Sequence, residues 1–157
     1  MKKLFLLLLF VLSFSSFVFA ESLLQPTRID FDGDGKDDMA IFRPSNGTWY
    51  IIRSRDGFTA VHFGLASDKL VPADYDHDGK SDIAVFRPSN GALYLKNTNA
   101  TGFADIQINY GLPGDKPVTG DWNDDSYDTI GIYRNGIFYL RNSNSIGFAD
   151  VMFAFGS

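Results

Sequence analysis

Acidic side chains recur in this sequence at intervals suited to holding a metal ion. The first set, Asp30 to Asp38, reads D-F-D-G-D-G-K-D-D; it returns as Asp74 to Asp82 (D-Y-D-H-D-G-K-S-D) and, altered, as Asp121 to Thr129 (D-W-N-D-D-S-Y-D-T). Positions 1, 3, 5 and 9 are Asp30, Asp32, Asp34 and Asp38 in the first loop and Asp74, Asp76, Asp78 and Asp82 in the second. Side chains so spaced converge on one point. Two carboxylates about 4 Å apart repel by roughly 4 kcal/mol at an effective dielectric near 20, so four of them gather around a cation or splay into solvent. Oxygen-only donors select a hard ion, and a flexible loop with several carboxylates suits calcium better than magnesium, which keeps its waters. Gly35 and Gly79 at position 6 allow the sharp turn that aims the carbonyl of position 7 (Lys36, Lys80) inward. An ordinary acidic turn is the alternative, since Asp and Gly favour turns; recurrence in register weighs against it for the first two loops. In the third, Asn123, Ser126 and Thr129 stand where the others have Asp, Gly and Asp, with Asp125 kept and Asp128 adjacent. A weaker site, or one completed by water, is expected there.

No catalytic set accompanies the loops. Cysteine is absent, and His62 and His77 are the only histidines, one on an expected strand and one at a non-ligand loop position. No serine sits in a nucleophile-elbow context. Carboxylates held ionised by a cation are poor proton-transfer groups, so the expectation is a protein that is not an enzyme. Arg43, Arg87 and Arg134 recur after each loop, read first as partners of a nearby acid or carbonyl and second as anion or sugar contacts. Tyr50, Tyr94 and Tyr139 read as packing within the sheets. Trp122, inside the third loop, is the best candidate for an exposed aromatic, and Asn97-Thr98-Asn99 and Asn142-Ser143-Asn144, each shortly before G-F-A-D, read as solvated turns that could also meet saccharide hydroxyls.

The loops sit in an internal repeat. Asp30, Asp74 and Asp121 are 44 and then 47 residues apart, a period that fits a four-stranded propeller blade. In the second repeat strands are expected at Leu70–Tyr75, Asp82–Arg87, Ala92–Lys96 and Asp105–Tyr110, with a Pro88-Ser89-Asn90-Gly91 turn. The first repeat matches at Asp38–Arg43, Thr48–Arg53 and Thr59–Phe63, the third at Thr129–Arg134, Ile137–Arg141 and Val151–Phe155. Asn135-Gly136 is the strongest signal for a two-residue hairpin. The strand after each loop is apolar on both faces (Ile83 and Val85 against Ala84 and Phe86) and must be covered on both sides. The expected fold is all-β, with three four-stranded antiparallel blades at about 21–66, 67–113 and 114–157.

The first twenty residues read as a signal peptide: Lys2 and Lys3, an apolar run from Leu4 to Phe19, and small residues up to Ala20. That implies a secreted protein, with the periplasm or the cell surface as alternatives, and no membrane insertion after the signal is removed. The formal net charge of −5 becomes −7 without the two lysines, which argues against a nucleic-acid partner. Lack of cysteine rules out a disulfide framework, and bound metal is a reasonable substitute staple.

The loops followed by D-M-A-I-F-R-P and D-I-A-V-F-R-P, with strand endings H-F-G, N-Y-G and A-F-G, resemble FG-GAP/VCBS-type repeats, the calcium-binding propeller blades also found in integrin alpha-chain heads. The resemblance implies ligands at Asp30, Asp32, Asp34, the Lys36 carbonyl and Asp38, and at Asp74, Asp76, Asp78, the Lys80 carbonyl and Asp82. In the third loop it implies Asp121, Asn123, Asp125, the Tyr127 carbonyl and Thr129. The cofactor expected is calcium, at two sites and a weaker third. The function expected is extracellular binding or adhesion to a protein or polysaccharide, the alternative being an accessory, non-catalytic piece of an exported degrading enzyme. Three blades are fewer than the four to eight of closed propellers. Self-association is therefore expected, a dimer closing a six-bladed ring, with a fragment or an open stack as alternatives.

Overall fold

The structure, a computed structural model, describes residues 29–156; the signal-peptide reading falls outside them. Within that span there are eleven strands and three antiparallel sheets. The first sheet holds β1 (Met39–Arg43), β2 (Thr48–Arg53) and β3 (Gly57–His62). The second holds β4 (Lys69–Leu70), β5 (Ile83–Arg87), β6 (Ala92–Lys96) and β7 (Ile106–Asn109). The third holds β8 (Lys116–Gly120), β9 (Thr129–Arg134), β10 (Ile137–Leu140) and β11 (Val151–Ala154). Each is an up-and-down meander in chain order, consistent with propeller-like blades. Among the described residues the first sheet has three strands where four are expected.

Most expected strands are present within a residue or two. The exception is β4, which ends at Leu70 where a strand through Tyr75 is expected. Pro72 explains the break, having no N–H for the ladder. Pairing continues past it by single contacts, Val71 N–H to the Ala84 carbonyl at 3.0 Å and an isolated bridge between Ala73 and Asp82. The Asn135-Gly136 hairpin forms as expected, with φ of +50° and +82°.

Two cores lie between the sheets, both touching β5. On one side Ile83 and Val85 meet Phe31, Trp49, Ile51, Val61 and Phe63 from the first repeat. On the other, Ala84 and Phe86 join Leu93, Leu95 and Ile108 against Ile130 and Ile132 of the third. Residues 83–86 are all fully buried, so the two-sided apolar pattern means burial on both faces, as expected. In β1 the same pattern is covered on one face only; Met39 and Ile41 remain 68% and 62% exposed.

Glycine permits the tightest approach at the blade rim. A Cβ on Gly91 would lie 2.2 Å from the Gly111 carbonyl oxygen, and one on Gly111 would lie 2.8 Å from the Phe86 ring. The turn before β6 and the end of β7 therefore close on each other through Gly111 N–H to Gly91 C=O, 2.7 Å.

The recurrent arginines are structural in the second and third sheets. Arg87 forms a two-pronged pair with Asp68 (3.0 and 2.9 Å), and Arg134 does so with Asp115 (2.7 and 2.6 Å). Each guanidinium also lies over a tyrosine ring, Arg87 on Tyr94 and Arg134 on Tyr139. Burial alone would raise the Asp115 carboxyl, but the hydrogen bonds and charge of Arg134, with the Leu112 N–H, outweigh it and hold the group below its usual range. Arg43 instead donates to the Tyr50 hydroxyl at 3.0 Å and stays exposed.

Candidate metal centre

Each acidic loop is wound around the side chain at its first position. The Asp30 carboxylate accepts from the N–H groups of Asp32, Gly33, Asp34 and Gly35, at 3.2, 2.6, 3.3 and 2.8 Å. Asp74 accepts from Asp78 (3.2 Å) and Gly79 (3.0 Å), and Asp121 from Asn123 and Asp125 (both 3.2 Å) and Ser126 (2.7 Å). The third loop, despite its altered residues, has the same winding.

Such winding needs left-handed backbone at positions 4 and 6. Gly33 and Gly35 supply it at +71° and +83°, His77 and Gly79 at +60° and +81°, and Asp124 and Ser126 at +60° and +71°. An L-residue in this region costs roughly 1–2 kcal/mol. The Ser126→Gly variant is therefore expected to stabilise the protein by about 1 kcal/mol, read as a raised midpoint in urea; an unchanged or lowered midpoint would count against strain at this position.

Carboxylate oxygens of Asp30, Asp32 and Asp38 lie within 4.8 Å of one another, as do those of Asp74, Asp76 and Asp78. Both trios have the geometry to hold a metal ion, and the donor set is all oxygen. Asp34 and Asp82 stand beside the trios rather than in them. Asp34 accepts from the Ser54 hydroxyl at 2.7 Å and pairs with Lys36 Nζ at 3.2 Å. Asp82 is buried and accepts from the Tyr75 N–H at 3.0 Å, as Asp38 accepts from the Phe31 N–H at 2.7 Å. Lys80 is exposed. In the third loop Asp121, Asn123, Asp125 and Tyr127 are exposed, and the Asn123 amide donates to Asp125 at 2.9 Å. The buried Thr129 hydroxyl turns to main-chain carbonyls, 2.6 Å from that of Arg141 and 3.3 Å from that of Gly120.

The first two loops differ electrically. The Ser54 hydroxyl is the chief cause that lowers Asp34. Burial pulls Asp32 upward, but the N–H groups of Arg55 (2.8 Å) and Asp56 (3.0 Å) win and leave it lowered. In the second loop burial dominates. It raises Asp74, and it raises Asp82 to about 7, helped by the charges of Asp76, Asp74 and Asp78 and opposed by the Tyr75 N–H. Without a cation, protonated Asp82 favours the fold at low pH, and that contribution fades as pH rises from the ordinary carboxylate range through about 7. A divalent ion would reverse the balance by stabilising the charged form.

Sequence reasoning missed the residues that brace the loops. The Asn99 amide oxygen accepts from the Ile83 N–H at 2.6 Å while its NH₂ donates to the Ser81 carbonyl at 2.8 Å. Asn144 donates to the Asp128 carbonyl at 2.9 Å. These polar turns are struts rather than free saccharide contacts. Trp122 is not the exposed aromatic it was expected to be: it is half-buried, its ring packs on Gly120, and its Nε1 has no partner among the described residues. The most exposed rings among the described residues are Phe103 and Phe148, at 96% and 93%, both in the repeated G-F-A-D turn. Phe103 borders a groove of about 310 Å³ that also includes Arg87, Tyr94 and Gln107.

Consecutive loops are hydrogen-bonded to each other. Asp30 and Ser81 exchange two bonds, Asp30 N–H to the Ser81 hydroxyl at 3.0 Å and Ser81 N–H to the Asp30 carbonyl at 2.6 Å. Asp74 and Asp128 do the same, at 3.1 Å to the carboxylate and 3.0 Å to the carbonyl. His77 adds a 2.7 Å contact to the Ser126 carbonyl and packs on Tyr127.

The fold and loops define an all-β protein built from propeller-like repeats, with acidic loops able to hold metal. Residues 30–85, covering the first loop, the second loop and the sheet between them, match the family model of the FG-GAP-like repeat. That part of the chain is similar to an FG-GAP-like repeat. No curated protein and no solved structure matches it.

Proposed function

We propose that this protein is an exported, non-catalytic binding module whose blades are stapled by calcium and whose loops meet an extracellular protein or polysaccharide. The observation that carries the calcium half is the pair of carboxylate trios, each within 4.8 Å, wound in the same way one repeat apart. Asp30, Asp32, Asp34, Asp38 and the Lys36 carbonyl form the first site. Asp74, Asp76, Asp78, Asp82 and the Lys80 carbonyl form the second. The third loop is the weaker site, because one carboxylate is an amide and position 9 is a threonine. The binding half is supported by the groove under Phe103 and by the exposed Phe148 in the equivalent turn.

Titration calorimetry of the purified protein with calcium tests the reading. Two sites in the range of about 10⁻⁴ to 10⁻³ M are expected. Asp76→Asn is the clean probe, because Asp76 is exposed and, among the described residues, its carboxylate accepts from the Asp78 N–H alone, at 3.3 Å. It is expected to remove one site and leave the other. Absence of binding in the native protein would sink the proposal.

A further inference from the structure

The two interfaces inside this chain are one interface used twice. In both, the face bearing Phe42 and Trp49, or Phe86 and Leu93, packs on the opposite face of the next sheet, Ile83 and Val85, or Ile130 and Ile132. Among the described residues, one face of each type is left over. The first sheet exposes Met39, Ile41, Ile52 and Phe58, at 68%, 62%, 56% and 64%. The third exposes Phe153 and Phe155, at 46% and 70%, with Phe138 stacked on Phe153 at 5.2 Å.

Terminal repeats that meet water carry a polar outer face. Here the terminal face is the more apolar one. Inside the stack, Lys96 pairs with Asp105 (2.7 Å) and Arg141 with Asp150 (2.9 Å), each extending from β6 or β10 toward the strand beside it. At the equivalent pair of the first sheet, Ile52 stands opposite Phe58. Charge is retained where the face is covered by this same chain and replaced by hydrocarbon where it is not.

The loop contacts point the same way. At each internal interface the eighth residue of one loop (Ser81, Asp128) bonds the main chain of the first residue of the loop before (Asp30, Asp74). Among the described residues, the halves without such a partner are Asp37, exposed in the first loop, and the main chain of Asp121 in the third.

We propose that the outer face of the first sheet receives the outer face of the third sheet from a second copy of this chain, head to tail, with the Asp37 carboxylate of one copy accepting the Asp121 N–H of the other. The three sheets described in each of two copies make six, a number within the four to eight blades of closed propellers, so two copies can close a ring.

Sedimentation velocity on the purified protein in millimolar calcium, with circular dichroism to check folding, tests this. The native protein sediments as a dimer. Ile41→Glu and Phe155→Glu, each on a face exposed in the single copy, shift it to monomer with at least a hundredfold weaker association. Mixing these two variants gives a dimer joined through one intact interface and weaker than the native ring, because the unaltered face of each copy meets the unaltered face of the other. Asp37→Ala weakens association about a hundredfold, the loss of two hydrogen bonds to a charged acceptor, one at each of the two interfaces of the ring. Should Ile41→Glu misfold, Met39→Glu takes its place. A native monomer overturns the proposal, as do assemblies beyond a dimer or a mixture that stays monomeric.

Discussion

Chelation of calcium is expected to lower the melting temperature of this protein by on the order of 10 °C. At ~1 mM free ion and a dissociation constant near 10⁻⁴ M, one site adds about 1.4 kcal/mol by mass action, and two add about 3 kcal/mol. For a chain of this size each kcal/mol moves the midpoint by roughly 2–4 °C, more if the cooperative unit is a smaller domain. The sign follows from the loops: their carboxylates crowd together in the fold and separate in the unfolded chain, so the cation favours the fold. Differential scanning calorimetry with calcium and with excess chelator is the measurement, and the Asp76→Asn variant should show less than half the shift. A melting curve indifferent to chelator would remove calcium from the account of stability while leaving the fold intact.

Replacing Phe86 with alanine is expected to cost about 3–5 kcal/mol, a large part of the 5–15 kcal/mol that holds a typical domain together. Phe86 is fully buried on β5, in the core against the third sheet, and its ring stacks under the Gly111 backbone at the blade rim. The neighbours are strands, whose ladders hold them in place, so the space left would not close and the cavity cost applies in full. Phe42, its counterpart in the first sheet, is only half-buried, and its loss should cost less. Urea unfolding of the two alanine variants measures both. Equal losses would mean that the second core is no more important than the first.

How far the sequence showed these features depended on distance along the chain. Acidic loops, two-sided strands and the Asn-Gly turn were legible because each is written in fewer than ten consecutive residues. What was not legible depends on partners brought together by folding. Asp68 and Asp115 sit 19 residues before the arginines they hold, in connectors that read as plain turns. Asn99 looked like a solvated loop residue because its partners Ile83 and Ser81 are 16 and 18 residues away. Trp122 looked exposed because it lies in a polar loop; only the glycine two residues earlier gives its ring a surface to lie on. The left-handed position 4 was hidden for a different reason. His77 and Asp124 adopt it although neither is glycine, so composition carried no mark of it.

The bonds between successive loops mean that their ions would not bind independently. An ion in the second loop would order the turn that presents Ser81 to Asp30, and one in the third would order the turn that presents Asp128 to Asp74. Each occupied loop thereby prepaid part of the ordering its neighbour needs, and linkage makes the benefit mutual. If the loops take calcium as proposed, its uptake along such a row is expected to be cooperative, with a Hill coefficient above one in a calcium titration.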